Sequence, residues 1–120
     1  MDKLHQLPVH TAVSLMGQGK LKPSQLVSAY IEQIEQRESD VGAFIHLDVQ
    51  HALDQAHALD SAPPNGLLFG VPIGVKDIID TVDMPTAYGS AIYAKHQPVT
   101  DAACVNEARR NGAVVMGKTV

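Results

Sequence analysis

The sequence predicts an α/β protein with a helical lead-in. Three observations carry that prediction. Apolar side chains recur at helical spacing through the first sixty residues, and Val71, Ile73 and Val75 then alternate with the two-residue rhythm of a strand. A helical stripe from Asp101 leads into a second apolar strand at Ala113–Met116. Strand, helix, strand is the order that builds a crossover between parallel neighbours.

Each element has a local reason. Ala12, Leu15 and Met16 fit a first helix closed by Gly17 and Gly19. Leu26, Val27, Tyr30, Ile31 and Ile34 mark one face of a second helix. Pro23 suits its first position, where a missing N–H costs nothing. Gly42–Ile45 reads as extended. Asp48 suits the N-cap of a third helix, with Val49, Ala52, Leu53, Ala56 and Leu59 on one side. At Pro63, Pro64, Asn65 and Gly66 the chain must turn, which divides it into residues 1–62 and residues 63–120. Beyond the strand at 71–75, Asp101 is expected to cap a helix carrying Ala102, Val105 and Ala108, and Gly112 to end it.

Composition excludes several classes of function. Nine Lys and Arg against thirteen Asp and Glu in 120 residues leave a formal charge of −4, wrong for binding nucleic acid through a basic surface. Hydrophobic residues are 45% and charged residues 18%, a globular balance rather than a disordered one. The uncharged run at 62–75 is interrupted by Pro63, Pro64, Gly66, Gly70, Pro72 and Gly74. A membrane span needs about twenty apolar residues, so no membrane role is expected. Met1 to His5 lacks the basic-then-apolar order of a secretory signal. A lone Cys104 cannot close an internal disulfide, which fits a reducing, cytoplasmic setting.

Three constellations could carry chemistry. Gly112, Gly117, Lys118 and Thr119 satisfy the phosphate-loop spacing G-x-x-x-x-G-K-[ST]. A phosphate loop, however, follows a strand and opens a helix, and here a helix precedes Ala113, Val114, Val115 and Met116, which are strand residues. A strand is expected there and no nucleotide. His46, His51 and His57 lie five and six apart, unlike a ligand pair on one helical face, so solvated helix histidines are expected and no metal. His5 and His10 fall in an expected frayed terminus. The third constellation is Lys76-Asp77, at the end of the apolar run from Leu67 to Val75. Gly74 and Pro72 leave space on the side of that strand that Lys76 shares. Lys76 could snorkel or pair with Asp77 or Asp80. Alternatively, burial could lower its pKa until the amine serves as a base.

The run Gly70-Val-Pro-Ile-Gly-Val-Lys76-Asp77 is followed by Asp80-Thr81, Met84-Pro85-Thr86 and Gly89-Ser90. This ordered set resembles the opening of the amidase-signature family, as do Asp101-Ala102 and the stretch from Ala108 to Thr119. Leu21 to Leu59 is similar to the helical lead-in of those enzymes. The resemblance implies the amidase-signature fold, a mixed β-sheet flanked by helices. It also implies hydrolysis of a small carboxylic amide to acid and amine or ammonia by a Ser–cis-Ser–Lys triad, with Lys76 as the base and no metal or organic cofactor. Asp77 and Asp80 would position Lys76, with Met84 to Thr86 near the pocket. Ile78 stands where many relatives, including the glutamyl-tRNA amidotransferase subunit, carry asparagine, which leans toward stand-alone amidases.

Both family serines lie downstream of this pattern in a glycine-rich segment. Ser14, Ser24, Ser28, Ser39, Ser61 and Ser90 form no such cluster. The chain therefore reads as the N-terminal part of a longer enzyme, inactive alone. Its two strands would leave Val71, Ile73, Val114 and Val115 exposed, favouring partial folding or aggregation. A rival class is a non-catalytic association module, in which the stripe from Leu26 to Ile34 pairs with a second copy as a homodimer through the N-terminal helices.

Overall fold

In the computed structural model, which describes residues 3–120, the expected elements form and one more joins them. Met1 and Asp2, part of the stretch read for a signal, lie outside the described residues. A 3-10 turn at Leu4–Gln6 precedes α1 (Val9–Gly17) and α2 (Pro23–Val41). Strand β1 (Phe44–Leu47), α3 (Val49–Asp60) and β2 (Pro72–Lys76) follow. A second 3-10 turn at Ala91–Tyr93, α4 (Ala103–Arg110) and β3 (Val114–Thr119) complete the order. His5 and His10 therefore sit in a 3-10 turn and in α1, not in a frayed end.

The helix ends follow their sequence signals. Pro23 opens α2, and Gln25 Oε1 accepts the Lys22 N–H at 2.9 Å just before it. Gly42 ends α2 in the left-handed region at φ 60°, and the Glu38 carboxylate accepts the N–H groups of Ala43 (2.7 Å) and Phe44 (2.8 Å). That clamp turns the chain directly into β1. Asp48 caps α3 by accepting the His51 N–H at 3.0 Å. Asp101 does not cap α4. Ala102 holds the N-cap, while Asp101 accepts the Val82 N–H at 2.8 Å and lies 3.0 Å from Arg109 Nε. The ion contact and the loop amide offer that carboxylate more than the helix end does.

The sheet has the order β1-β3-β2, with β2 parallel and β1 antiparallel to the central β3. The sheet is thus mixed, and the run read only as extended is its third strand. Leu47 lies opposite Gly117, and Lys76 lies opposite Thr119. A side chain on Gly117 would overlap the His46 carbonyl oxygen, so this glycine serves the approach of β1. The phosphate-loop spacing is consequently a strand, as its context demanded.

Two apolar layers sandwich β3. Val27, Ile31, Ala52 and Ala56 pack with Val114 and Met116, flanked by Tyr30 and Ile34. Val75, Met84 and Val105 pack with Val115 on the other side. Ala12, Met16, Leu21 and Leu26 form a third cluster under α1. Each fully buried Val, Leu, Ile or Met among them contributes about 1.5–3 kcal/mol. This arrangement corrects two expectations. Val71, Val114 and Val115 are buried, and Ile73 is half-buried. The stripe of α2 is covered by α1 at Leu26 and by α3 and β3 from Val27 onward, so it is not a free face for a second copy. The core also spans the division at residue 62, joining α2 and α3 to β3. Among the described residues, no helix is long and apolar enough to cross a membrane.

Candidate active site

Strand β2 runs out of the core and delivers Lys76 at its last position, exposed. Among the described residues its Nζ makes no hydrogen bond and no ion pair. The next residue behaves oppositely. Asp77 is 6% exposed and continues the ladder by donating its N–H to the Thr119 carbonyl at 2.9 Å. Its carboxylate turns inward. Both oxygens accept the Ala87 N–H, at 3.2 and 3.3 Å, and Oδ1 lies 3.6 Å from Lys118 Nζ.

Lys118 is a buried partner that the motif reading missed. It sits in β3 with no exposed surface. Its Nζ donates to Thr86 Oγ1 at 2.6 Å and to the Pro85 carbonyl at 3.2 Å. Burial pushes this ammonium's pKa below the ordinary lysine value, and the carboxylates of Asp77, then Asp80 and Asp83, oppose that shift. The available signal was a lysine inside an otherwise apolar strand, since such a lysine stays buried only with partners.

The expected helpers of Lys76 are therefore engaged elsewhere. Asp77 serves Ala87 and Lys118, and Asp80 accepts the Tyr88 phenol. That hydrogen bond, with burial second, raises the Tyr88 pKa above 10.0. Tyr88 holds φ 55°, and its N–H donates to the Asp77 carbonyl at 2.9 Å, fixing the 85–88 loop along the Lys-Asp pair. Thr86 supports Lys118, Met84 is in the core, and Pro85 lines a cleft of about 190 Å³ with Ile45, His46, Asp77, Ala87 and Ala94. Lys76 does not line that cleft.

A second polar cluster is structural. Asp83 accepts from Arg109 at 2.6 Å and lies 2.6 Å from His51 Nε2. Gln55 accepts the Val115 N–H at 3.2 Å, donates to the Val115 carbonyl at 2.9 Å and meets Arg109 at 3.4 Å. The cluster ties α3, α4 and β3 together. His51 thus contacts the Asp83 carboxylate rather than being simply solvated, His46 is on β1, and His57 is exposed on α3. Among the described residues no three or more His, Cys, Asp or Glu side chains are grouped so as to hold a metal ion.

The mixed sheet thus presents Lys76 exposed at a strand end and holds the adjacent Asp77 carboxylate beneath it. The chain belongs to the amidase family, which matches residues 25–120. It is 35% identical over 123 residues to a glutamyl-tRNA(Gln) amidotransferase subunit of Salinispora arenicola, covering 99% of this chain and 25% of that protein. It is 31% identical to the peptide amidase of Stenotrophomonas maltophilia, with a TM-score of 0.86 over 95% of this chain and 24% of that one. A fatty acid amide hydrolase shares the fold at a TM-score of 0.92 and 18% identity, covering 99% of this chain and 22% of that one. The chain spans about a quarter of the length of the relatives it matches.

Proposed function

We propose that this chain is the N-terminal portion of an enzyme that hydrolyses the C–N bond of a small carboxylic amide, with Lys76 as its base. One observation carries the reading: the carboxylate beside Lys76 is committed to Ala87 and Lys118, and among the described residues the Lys76 amine has no counter-ion. A lysine so placed can be neutralised by desolvation once a pocket closes over it.

In this reading, neutral Lys76 takes a proton relayed through a bridging serine from a nucleophilic serine. The serine oxygen bonds to the amide carbon, and N–H donors hold the oxyanion. The C–N bond breaks, the amine leaves with the relayed proton, and water then releases the acid from the acyl-serine. The chemistry uses no metal and no organic cofactor. Ser90 is occupied as the cap of the Ala91–Tyr93 turn, accepting the Ile92 N–H at 3.3 Å. None of the six serines stands in a glycine-rich pair, so both triad serines belong on polypeptide beyond these 120 residues. The chain by itself is inactive on this account. Ile78, exposed beside the site, leans the substrate toward that of a stand-alone amidase, in the cytoplasmic setting that lone Cys104 suggests.

A fluorophosphonate probe tests the reading in the longer enzyme. The nucleophilic serine should be labelled when Lys76 is present and spared in Lys76→Ala with an unchanged melting temperature. Labelling of Lys76→Ala at the parent rate would contradict the role of Lys76 as base.

A further inference from the structure

We propose that Lys118 is a positioning residue for the base: it holds the Asp77 carboxylate beneath the sheet and so keeps it from pairing with Lys76. The inference rests on the amidase reading above. Its basis is geometric. Asp77 directly follows Lys76, and a carboxylate next to an ammonium would be its natural partner. Here that carboxylate is nearly buried, accepts the Ala87 N–H with both oxygens and faces Lys118 Nζ at 3.6 Å. Lys118 is itself anchored from the other side by Thr86 Oγ1 at 2.6 Å and the Pro85 carbonyl at 3.2 Å.

The register supports this arrangement. Lys118 lies opposite Val75 on β2, and Thr119 opposite Lys76, so the two lysines sit on adjacent strands one step apart. One is solvent-facing and, among the described residues, unpaired; the other is enclosed with the acid. Besides Lys76, the charged and titratable groups around the enclosed Asp77–Lys118 pair are the more distant Asp80 and Asp83, Tyr88, whose N–H donates to the Asp77 carbonyl, and His46, which lies opposite Lys118 on β1 and lines the same cleft as Asp77. Burial weakens Lys118 as an acid-holding cation only in part, because those three carboxylates favour its charged form.

Removing Lys118 leaves Asp77 with a buried charge and a nearby alternative, the Lys76 ammonium. Pairing would favour charged Lys76, so the base would be freed only at higher pH. The test is the pH profile of kcat/KM in the longer enzyme, on a simple primary amide. Lys118→Met should move the acid limb upward by about one pH unit or more, the size expected for an opposite charge within hydrogen-bonding range. Adding Asp77→Asn to Lys118→Met should return the limb to its parent position. Asp77→Asn alone should leave the limb in place, because Asp77 does not face Lys76 in the parent. His46→Gln should leave it in place too.

An unmoved limb in a folded Lys118→Met would overturn the inference, and so would a downward shift in Asp77→Asn. If Lys118→Met does not fold, Lys118→Gln, whose amide can still donate to Thr86 and Pro85 but carries no charge, should show the same upward limb, and an unmoved limb there would overturn the inference. A Lys118 that is merely structural would lower the melting temperature and leave every limb where it was. Full turnover in Lys76→Ala would instead defeat the role of Lys76 as base, on which this inference rests, whatever Lys118 does.

Discussion

Lys118 Nζ donates a hydrogen bond to Thr86 Oγ1 at 2.6 Å from within the central strand, with neither residue exposed. The contact fastens the loop after β2 to β3 and puts a cation under the Lys-Asp pair. Thr86→Val keeps the shape and removes the acceptor. It should destabilise the fold by about 1–3 kcal/mol, the cost of leaving a buried donor short of a partner. Chemical denaturation of parent and variant checks this, and an unchanged midpoint would show that the hydroxyl contributes nothing.

Alkaline pH reads the same lysine. Its pKa in the folded chain is below the ordinary value of 10.5, so in that window the unfolded chain binds more protons than the folded one. Stability should therefore rise with pH up to about that value as the enclosed ammonium is relieved of its charge. Tyr88 acts in the opposite sense. Its folded pKa lies above 10.0, so its contribution is complete below 10.0 and is lost as pH climbs through the raised value. Melting temperatures across this range should rise and then fall. Lys118→Met should flatten the rise, and Tyr88→Phe the fall.

How much of this was legible beforehand depended on how local each cause was. Pro23, Asp48 and Gly112 mark helix ends by their own backbone or side-chain chemistry, and they stand where the sequence put them. Asp101 has the same capping chemistry, but Arg109 and the Val82 N–H, both distant in the loop or along the helix, claim it. The run Gly42–Ile45 was visible as extended chain, and it overlaps the start of β1. Its pairing with β3, some seventy residues later, has no signal in either segment alone. Lys76 stood out by its motif. Lys118 was hidden by one, since rejecting a phosphate loop at Gly117 and Thr119 left no reason to ask where a strand lysine would put its charge.

The Arg109 cluster predicts a clear stability effect away from the site. Arg109 reaches Asp83, Asp101 and Gln55 at once, which a lysine's single ammonium cannot imitate. Arg109→Ala should cost about 2–4 kcal/mol, because Asp83 and Asp101 are only partly exposed and would lose their shared cation. Arg109→Lys should recover only part of that loss. Thermal melts of the three proteins provide the check.

Gly117→Ala tests why the phosphate-loop spacing occurs in a strand. The new methyl would collide with the β1 backbone at His46, so β1 must move away from β3. Overpacking of this kind costs about 1–3 kcal/mol. A destabilised variant, together with no Mg²⁺-dependent ATP crosslinking in the parent, fits a packing glycine. Saturable labelling by ATP would restore the nucleotide site.

The central claim is that Lys76 carries the proton in amide hydrolysis, and turnover of a simple primary amide by the longer enzyme tests it most directly. Lys76→Ala should lower kcat by about 10²–10⁴-fold, the range for removing a positioned base, while the melting temperature stays put. Retained turnover with a lowered melting temperature would make Lys76 a structural surface lysine and contradict the account.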